Sequence, residues 1–531
     1  MKTGLKILGA LALVSAFADA RPEGFEKSDA INLPTRAESS DFTETTRFTE
    51  LLEFLHLLDD EGNTLRVEFF GESAEGRPLP LAILGNPAPE TPEQIDRATT
   101  TVLFVQANIH AGEVAGKEAA LMLMRDIVGG SLAHLVEETV LLVAPILNAD
   151  GNELISKQNR RRQNGPAGGV GTRANAQNLD LNRDFMKAES PEISAHLSGV
   201  VLRWNPDLLV DCHTTNGSLH TEPITYAWTH HPLADSALRA FDRDVMLPAI
   251  AADTRARDGY ASIPYGFWAD RRDRSKGWRS FGPQLRFGTN YWGLRNRHAI
   301  LIEMYAYASF ETRVRACAAF LRSILEFSRK EGKAIRTLVA EADQRGLAGD
   351  LGPFHWRFAE KALVEPITIM TYEKTKNSAG GEIEPTECSV PCLADYVPVG
   401  EGRPLPERGY VFARGNRAVR DKLAQHGIRV EQVAEETVAE VSVFVIDEII
   451  PSKRPYQGHW TQTFKGRWVV REETIRAGSF LVPSTQPLAM LAACLLEPEC
   501  DDSLAYWNFL DPFLTKNAFD STLLPYPIWR W

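Results

Sequence analysis

An imidazole and a carboxylate stand three residues apart in the segment His110-Ala111-Gly112-Glu113. The segment follows the apolar stretch 101–105 and precedes helical spacing of apolar residues over 114–128, so it lies at a strand-to-helix junction. At this spacing both side chains can face one point in space. Catalytic zinc sites use three nitrogen and oxygen ligands from the protein and leave a fourth position for water. The segment therefore predicts two of the three ligands of such a site.

A third ligand is needed, because the spacing by itself is weak evidence: His134 and Glu137 repeat it in a helical stretch that no strand precedes. We interpret that second pair as a solvent-exposed helix face. His213 ends the apolar strand 207–212 and is followed by turn residues rather than by a helix. This position favours His213 as the third ligand, against the alternative of a hydrogen-bonded structural histidine. Three neighbouring histidines are expected to be ordinary surface residues: His220, His230 and His231.

The elements that must position these side chains alternate between strands and helices. Apolar strands are predicted at 101–105, 140–147, 208–212 and 299–303, with helical segments between them. This alternation predicts an α/β fold class with a mixed, mostly parallel central sheet flanked by helices. Ligands of such sheets bind at the carboxyl ends of the strands. The polar residues predicted at those ends are His110, Asn148, His213 and Glu303.

The chain divides into four predicted regions. Lys2 and Lys6 precede an apolar run that ends in Ala18-Asp19-Ala20, which is typical of a cleaved secretory signal peptide over 1–20. A catalytic domain is expected over 21–346, ending in a long helical segment. An irregular junction rich in proline and glycine follows over 347–408. Residues 409–531 are expected to form a smaller α+β accessory module, which carries no cluster of residues with metal-binding or catalytic spacing.

Charge and hydropathy exclude several classes of partner. The formal net charge of −12 argues against nucleic acid or an anionic membrane, since both require a basic surface. No stretch after the signal approaches the roughly 20 apolar residues of a membrane helix. We therefore expect a secreted or periplasmic protein without membrane insertion, and the oligomeric state stays open.

The six cysteines suit an oxidising compartment. Two pairs are close enough in sequence to form local disulfides, with buried free thiols as the alternative: Cys388 with Cys392, and Cys494 with Cys500. The other two, Cys212 and Cys317, lie in apolar segments and are expected to be core residues.

Further motifs lie between the second and third candidate ligands. They are Asn148-Ala149-Asp150-Gly151, the arginines at 160–162, and Asp180-Leu181-Asn182-Arg183. In this order, from about residue 50 to 307, the chain resembles the zinc carboxypeptidases of the carboxypeptidase A type. Their pattern is His-x-x-Glu, Asn-Pro-Asp-Gly, an arginine, Asp-x-Asn-Arg, and a distant His and Glu. The resemblance implies one zinc ion per chain, held by His110, Glu113 and His213.

The resemblance also implies catalytic roles. Glu303 would be the general base that takes a proton from a zinc-activated water and later delivers it to the leaving amine. Arg162, which Arg160 and Arg161 adjoin, would stabilise the negative charge that develops on the carbonyl oxygen. Tyr291 is the nearest candidate for the family's mobile tyrosine, with an aromatic residue that only packs as the alternative.

Substrate recognition follows from the same resemblance. Asn182 and Arg183 would bind the terminal carboxylate of a peptide, for which a guanidinium group is suited. Asp180 would orient a zinc-binding histidine, His110. The chain departs from the family pattern at three positions, where Gly112 replaces a common arginine, Ala149 a proline and Asp184 a common asparagine. The first departure removes an additional contact to the substrate carboxylate.

These features predict a zinc-dependent metallopeptidase, foremost a metallocarboxypeptidase that releases C-terminal residues from peptides. One alternative is a zinc amidase or deacylase that acts on cell-wall peptides or acylated amino acids and shares the metal site. An alternative from another class is a catalytically inactive peptide-binding protein, for which Glu303→Gln would cause little loss of function.

Overall fold

The computed structural model describes residues 31–215, 217–371, 384–514 and 525–531. The predicted signal peptide lies outside these residues. The main sheet is formed by β1 (Leu65–Glu72), β2 (Pro78–Leu84), β3 (Thr101–Ala107), β4 (Thr139–Ala144), β5 (Leu208–Thr214), β6 (Ile224–Ala227), β7 (Ser262–Pro264) and β10 (His298–Met304). Two short strands, β8 (Phe267–Trp268) and β9 (Trp278–Arg279), lie between β7 and β10 in the chain.

Within the described residues the main sheet has eight strands in the order β1-β2-β4-β3-β5-β10-β6-β7. β3 pairs in parallel with both β4 and β5, and β5 pairs in parallel with β10. β1, β2 and β6 pair with neighbours in the antiparallel direction. All residues of β3, β4 and β5 are buried, as expected for strands covered on both faces, which explains their continuous apolar runs. The predicted mixed, mostly parallel sheet is confirmed.

Helices cover the sheet and support its carboxyl edge. The α-helices are α1 (Arg36–Ser39), α2 (Phe48–Asp59), α3 (Ala115–Val128), α4 (Ala149–Glu153), α5 (Pro191–His196), α6 (Ser236–Phe241), α7 (Leu247–Asp258), α8 (Gly288–Leu294), α9 (Phe310–Ala348), α10 (Arg417–Gln425) and α11 (Ala489–Leu496). The long helix α9 begins at the cap Ser309, whose hydroxyl accepts a hydrogen bond from the Thr312 amide, and it packs on α3. No helix of the described residues is long and apolar enough to cross a membrane.

The remaining strands lie after α9. The short strands are β11 (Phe358–Lys361), β12 (Ile367–Thr371), β13 (Thr386–Val390), β14 (Cys392–Leu393) and β15 (Asp395–Pro398). The C-terminal sheet comprises β16 (Gly409–Phe412), β17 (Glu431–Gln432), β18 (Thr437–Pro451), β19 (Gln462–Ile475), β20 (Phe480–Pro483) and β21 (Ile528–Arg530). Its order is β17-β20-β16-β21-β18-β19. β18 and β19 form a long antiparallel hairpin.

Two expectations about single side chains are corrected by the structure. His220, His230 and His231 are buried rather than on the surface. Their rings pack against aromatic residues that the loops and strands after β7 place over them, for example His230 at 4.4 Å from Phe281. All six cysteines lie within the described residues and are free thiols, so the two local disulfides are not formed, while Cys212 and Cys317 are buried as expected.

Candidate metal and catalytic site

The three candidate ligands converge at the carboxyl edge of the main sheet. β3 ends at Ala107, and Asn108 takes a left-handed conformation (φ 59°) that turns the chain toward α3. His110 and Glu113 lie in this short turn, where the Glu113 amide donates to the His110 carbonyl. His213 lies near the end of β5, in register with Glu303 on the neighbouring strand β10. The parallel pairing of β3, β5 and β10 therefore brings together residues that are far apart in sequence.

The geometry of the three side chains suits a cation. His110 Nδ1 lies 3.0 Å from Glu113 Oε1, and His213 Nδ1 lies 2.8 Å from Glu113 Oε2. The two Nδ1 atoms are 3.2 Å apart. All three side chains are buried, and one ligand atom from each lies within 4.8 Å of the others. Two imidazole nitrogens and a carboxylate facing one point form a donor set for zinc, so the residues fit the metal.

A carboxylate lies behind each histidine, on the side away from this point. His110 Nε2 lies 3.0 Å from Asp180 Oδ1, as the sequence predicted, and His213 Nε2 lies 2.9 Å from Asp211 Oδ2. Burial opposes the ionised form of Asp180, but His110 and neighbouring arginines hold its pKa well below the usual range. Carboxylates in this position fix the tautomer and the orientation of metal-binding histidines. Sequence reasoning missed Asp211, although an acid two residues before a strand-end histidine must share its face of the sheet.

Glu303 faces the cluster and carries a free acceptor. Among the described residues no group forms a hydrogen bond with its Oε2, which is inaccessible to solvent. Burial raises the pKa of Glu303 to about 8; His213 lowers it and Glu113 raises it further. A buried carboxylate that has no fixed proton donor is suited to take up a proton during a reaction.

Arginine residues lie beside the three candidate metal ligands, but Arg162, which the sequence predicted, is not among them. Arg162 is exposed and does not line the cavity, whereas Arg160 lines it and forms an ion pair with Glu113. Gly112 makes this possible, because a Cβ atom there would lie 2.7 Å from Arg160 Cδ. Arg173, which sequence reasoning missed, also lines the cavity. Its Nε donates to Asp180 Oδ2 at 2.8 Å, and its Nη1 lies 3.3 Å from His110 Nδ1.

Asn182 and Arg183 lie beside the candidate ligands, as predicted. They belong to a short 3-10 turn, Leu181–Arg183, which Asp180 caps by accepting the Asn182 amide at 3.0 Å. The Asn182 side chain accepts the Gly288 amide and approaches His213 Nε2 at 3.4 Å. The Arg183 guanidinium lies 4.4 Å from the centre of the Phe287 ring. Both residues therefore have defined orientations at the cavity.

The structure does not bring Tyr291 to the cavity. Its hydroxyl bonds His426 Nδ1 at 2.8 Å and accepts from Arg295, since α8 directs this side chain toward the C-terminal residues. The tyrosine that lines the cavity is Tyr265, which directly follows β7. Burial raises the pKa of Tyr265, and the carboxylates of Glu303 and Glu113 raise it further, so its phenol keeps its proton.

These side chains line a cavity of about 230 Å³. The lining residues are His110, Glu113, Arg160, Arg173, Asn182, Arg183, His213, Thr214, Tyr265, Phe281, Phe287, Thr289, Leu301 and Glu303. The cavity thus combines three side chains that could hold a metal ion, a buried carboxylate with a free acceptor atom and three guanidinium groups with a partly aromatic wall. This combination can polarise a carbonyl group and bind an anionic group next to it.

Comparisons with known proteins agree with this chemistry. Residues 51–201 match the family model described as zinc carboxypeptidase, a range that includes His110, Glu113 and Asp180. Carboxypeptidase 2 of Trichophyton tonsurans is 22% identical over 485 residues, which are 86% of this chain and 81% of that protein. Carboxypeptidase M of Mus musculus is 31% identical over 123 residues, or 22% of this chain and 25% of that protein.

The chain was also compared with solved structures. A metallo-carboxypeptidase from Burkholderia cenocepacia has 18% sequence identity and a TM-score of 0.40, covering 54% of this chain and 70% of that one. Carboxypeptidase A from Helicoverpa armigera has 14% identity and a TM-score of 0.40, covering 62% of this chain and 79% of that one. The sequence matches confirm the resemblance that the motifs predicted.

Proposed function

We propose that this chain, identified by its match to the zinc carboxypeptidases as a zinc-dependent peptide hydrolase, releases C-terminal residues from peptides. One observation carries the proposal: Glu303, with a free acceptor atom, lies in the same small cavity as the metal-binding cluster and the pair Asn182 and Arg183. A proton acceptor, a cation site and a carboxylate-binding pair within one cavity are what exopeptidase chemistry requires.

The metal would be held by His110, Glu113 and His213. Zinc bound there supplies Lewis acidity, which polarises a carbonyl group and makes water acidic near neutral pH. The chain's own contribution is to orient these ligands. Asp180 and Asp211, at 3.0 Å and 2.9 Å from the two Nε2 atoms, keep both Nδ1 atoms directed at the shared point.

Glu303 would move the proton. Its carboxylate accepts a proton from the attacking water and then delivers it to the departing amine nitrogen, so one residue acts first as base and then as acid. The free Oε2 atom supports the first role, and burial, which raises the pKa of this carboxyl group, favours uptake of the proton from water.

Two guanidinium groups are placed to stabilise the charge that develops on the scissile carbonyl. Arg160 and Arg173 both approach the Glu113 carboxylate, the latter with Nη1 3.9 Å from Oε1. A fixed positive charge at this point stabilises the transition state most strongly when the charged group does not have to move during the reaction. Arg173 is fixed by Asp180, and Arg160 by its packing over Gly112.

Recognition of the free carboxylate would fall to Asn182 and Arg183. The Arg183 Nη1 donates to the Asn182 carbonyl at 2.6 Å, which anchors one side of the guanidinium group. The aromatic residues Phe281, Phe287 and Tyr265 and the aliphatic Leu301 offer contacts to an apolar C-terminal side chain.

We further propose that the protein is exported after removal of residues 1–20, with catalytic residues in 21–346 and an accessory module in 409–531.

The experiment compares peptides with free and amidated C-termini, using zinc-loaded protein, chelator-treated protein and the Glu303→Gln variant. The proposal expects turnover only with zinc, a strong preference for the free carboxylate and a large loss in the variant. Equal rates on free and amidated peptides would contradict exopeptidase action. Turnover of acylated amino acids or cell-wall peptides alone would point to an amidase with the same metal site.

A further inference from the structure

The hairpin β18–β19 reaches the catalytic residues from the C-terminal sheet. Its tip is Tyr456-Gln457-Gly458-His459, where Tyr456 and His459 exchange backbone hydrogen bonds of 2.8 Å and 3.0 Å. Gln457 and Gly458 have φ values of 50° and 81°, the left-handed pair of a type I′ turn. Glycine adopts this conformation freely, but glutamine rarely does, which indicates that surrounding contacts hold Gln457 in place.

Gln457 touches the support of the metal site directly. Its Oε1 accepts a hydrogen bond of 2.8 Å from the backbone amide of Asp180, across 277 residues of sequence. The Asp180 carboxylate is already engaged by His110, by the Asn182 amide and by Arg173. Gln457 therefore holds the backbone at Asp180. This backbone continues into Asn182 and Arg183, the pair proposed to bind the substrate carboxylate.

Other contacts hold the hairpin tip independently of Gln457. His459 Nε2 lies 2.7 Å from Glu189 Oε2, and Asn508 donates to the Trp460 carbonyl at 3.0 Å. Arg286 lies 5.4 Å from the centre of the Tyr456 ring and pairs with Asp502 at 2.8 Å. Removal of the Gln457 acceptor thus deletes one hydrogen bond while the tip stays docked.

We propose that Gln457 is a positioning residue for the metal site, through which the hairpin of the C-terminal sheet completes the catalytic centre. The inference rests on the proposed zinc site. By holding the Asp180 backbone, Gln457 sets the position of the carboxylate against His110 Nε2 and thereby the direction of His110 Nδ1. The C-terminal sheet is, on this view, a structural part of the active site rather than a separate binding module.

The test uses full-length zinc-loaded protein with three variants. Gln457→Met keeps an unbranched chain of similar length and removes the strong acceptor, and Gln457→Glu retains an acceptor oxygen. Gln425→Met is the matched control: Gln425 bonds the Ala188 carbonyl and Ser194 in the same interface but does not contact Asp180. Zinc affinity is measured by competition with a chromogenic chelator, together with kcat, KM and the thermal unfolding temperature.

For Gln457→Met we expect zinc affinity to fall about threefold to tenfold, less than the roughly 10- to 100-fold typical when a residue that bonds a metal ligand directly is lost. At saturating zinc we expect kcat to fall and KM to change little. Gln457→Glu should restore zinc affinity and kcat, and Gln425→Met should leave both unchanged.

Equal zinc affinity for Gln457→Met and Gln425→Met, or no rescue by Gln457→Glu, would overturn the inference. Absence of peptide hydrolysis in the unsubstituted protein would refute the proposed function alone, because the zinc-affinity comparison needs no substrate.

Discussion

Gly112 separates two of the candidate metal ligands, and the packing around it predicts that a side chain at this position impairs the proposed catalysis. A Cβ atom at residue 112 would lie 2.7 Å from Arg160 Cδ, 2.9 Å from Arg160 Nε and 2.9 Å from the Gly171 carbonyl oxygen. All three distances are shorter than van der Waals contact, so Gly112→Ala requires the Arg160 side chain and the Gly171 backbone to shift, and we expect Arg160 to lose its position beside Glu113. Loss of one fixed donor to a developing oxyanion costs about 2.7–4 kcal/mol, or roughly 10²–10³ in rate. We expect kcat/KM of Gly112→Ala to fall by that factor.

A double-mutant cycle measures this coupling. The assay determines kcat/KM for Gly112→Ala, Arg160→Ala and the double variant on one free-carboxylate peptide, with zinc content and thermal unfolding recorded for each. Gly62→Ala is the control, because a Cβ atom there meets nothing within 4 Å. If Gly112→Ala acts by displacing Arg160, the double variant is about as slow as either single variant. Additive losses, or a Gly112→Ala protein with unchanged kcat/KM, would refute the reasoning.

Three further outcomes are expected. Glu303→Gln should lower kcat by about 10²–10⁴ while zinc stoichiometry stays at one, since the base is lost but the ligands remain; an unchanged kcat would favour a role other than proton transfer. Asp211→Asn should weaken zinc binding by about 10- to 100-fold in chelator competition, because His213 loses its carboxylate partner; affinity equal to that of the unsubstituted protein would show that Asp211 does not orient His213. The free energy of unfolding of the zinc-free protein should fall as the pH is lowered from 7 to 5. Burial lowers the pKa of four histidines to about 3, whereas in the unfolded chain they take up a proton near pH 6.5. These are His196, His230, His231 and His426. Each contributes a loss of about 2 kcal/mol over that interval, which urea unfolding at both pH values measures, and equal unfolding midpoints would contradict it.

The sheet and the three side chains that converge at its carboxyl edge could be predicted because their signals are local. Strands such as Thr101–Ala107 and Leu208–Thr214 are buried on both faces, so apolar runs mark them without knowledge of their neighbours. Parallel pairing then places the carboxyl ends of the strands together. This is why His110, Glu113, His213 and Glu303 could be selected by type and position before any contact was known.

The supporting residues could not be selected in this way. Among three adjacent arginines, nothing in the sequence distinguishes Arg160 from Arg162, because the choice depends on which side chain passes over Gly112. The sequence predicted Tyr291 as the nearest candidate for the family's tyrosine, yet the orientation of α8 turns Tyr291 toward His426 and Tyr265 lines the cavity instead. Arg173 was overlooked because its role depends on the carboxylate of Asp180, which only the fold brings within 2.8 Å.

The sequence by itself predicted the alternation of strands and helices, the candidate metal ligands, Glu303 as the candidate base and the family that these residues resemble. Tertiary structure alone decided which arginines and which tyrosine line the cavity, and that Gln457 bonds the backbone of Asp180. The physical reason is the range of each interaction: hydrophobic periodicity and motif spacing act over a few residues, whereas a hydrogen bond across 277 residues exists only after the chain has folded.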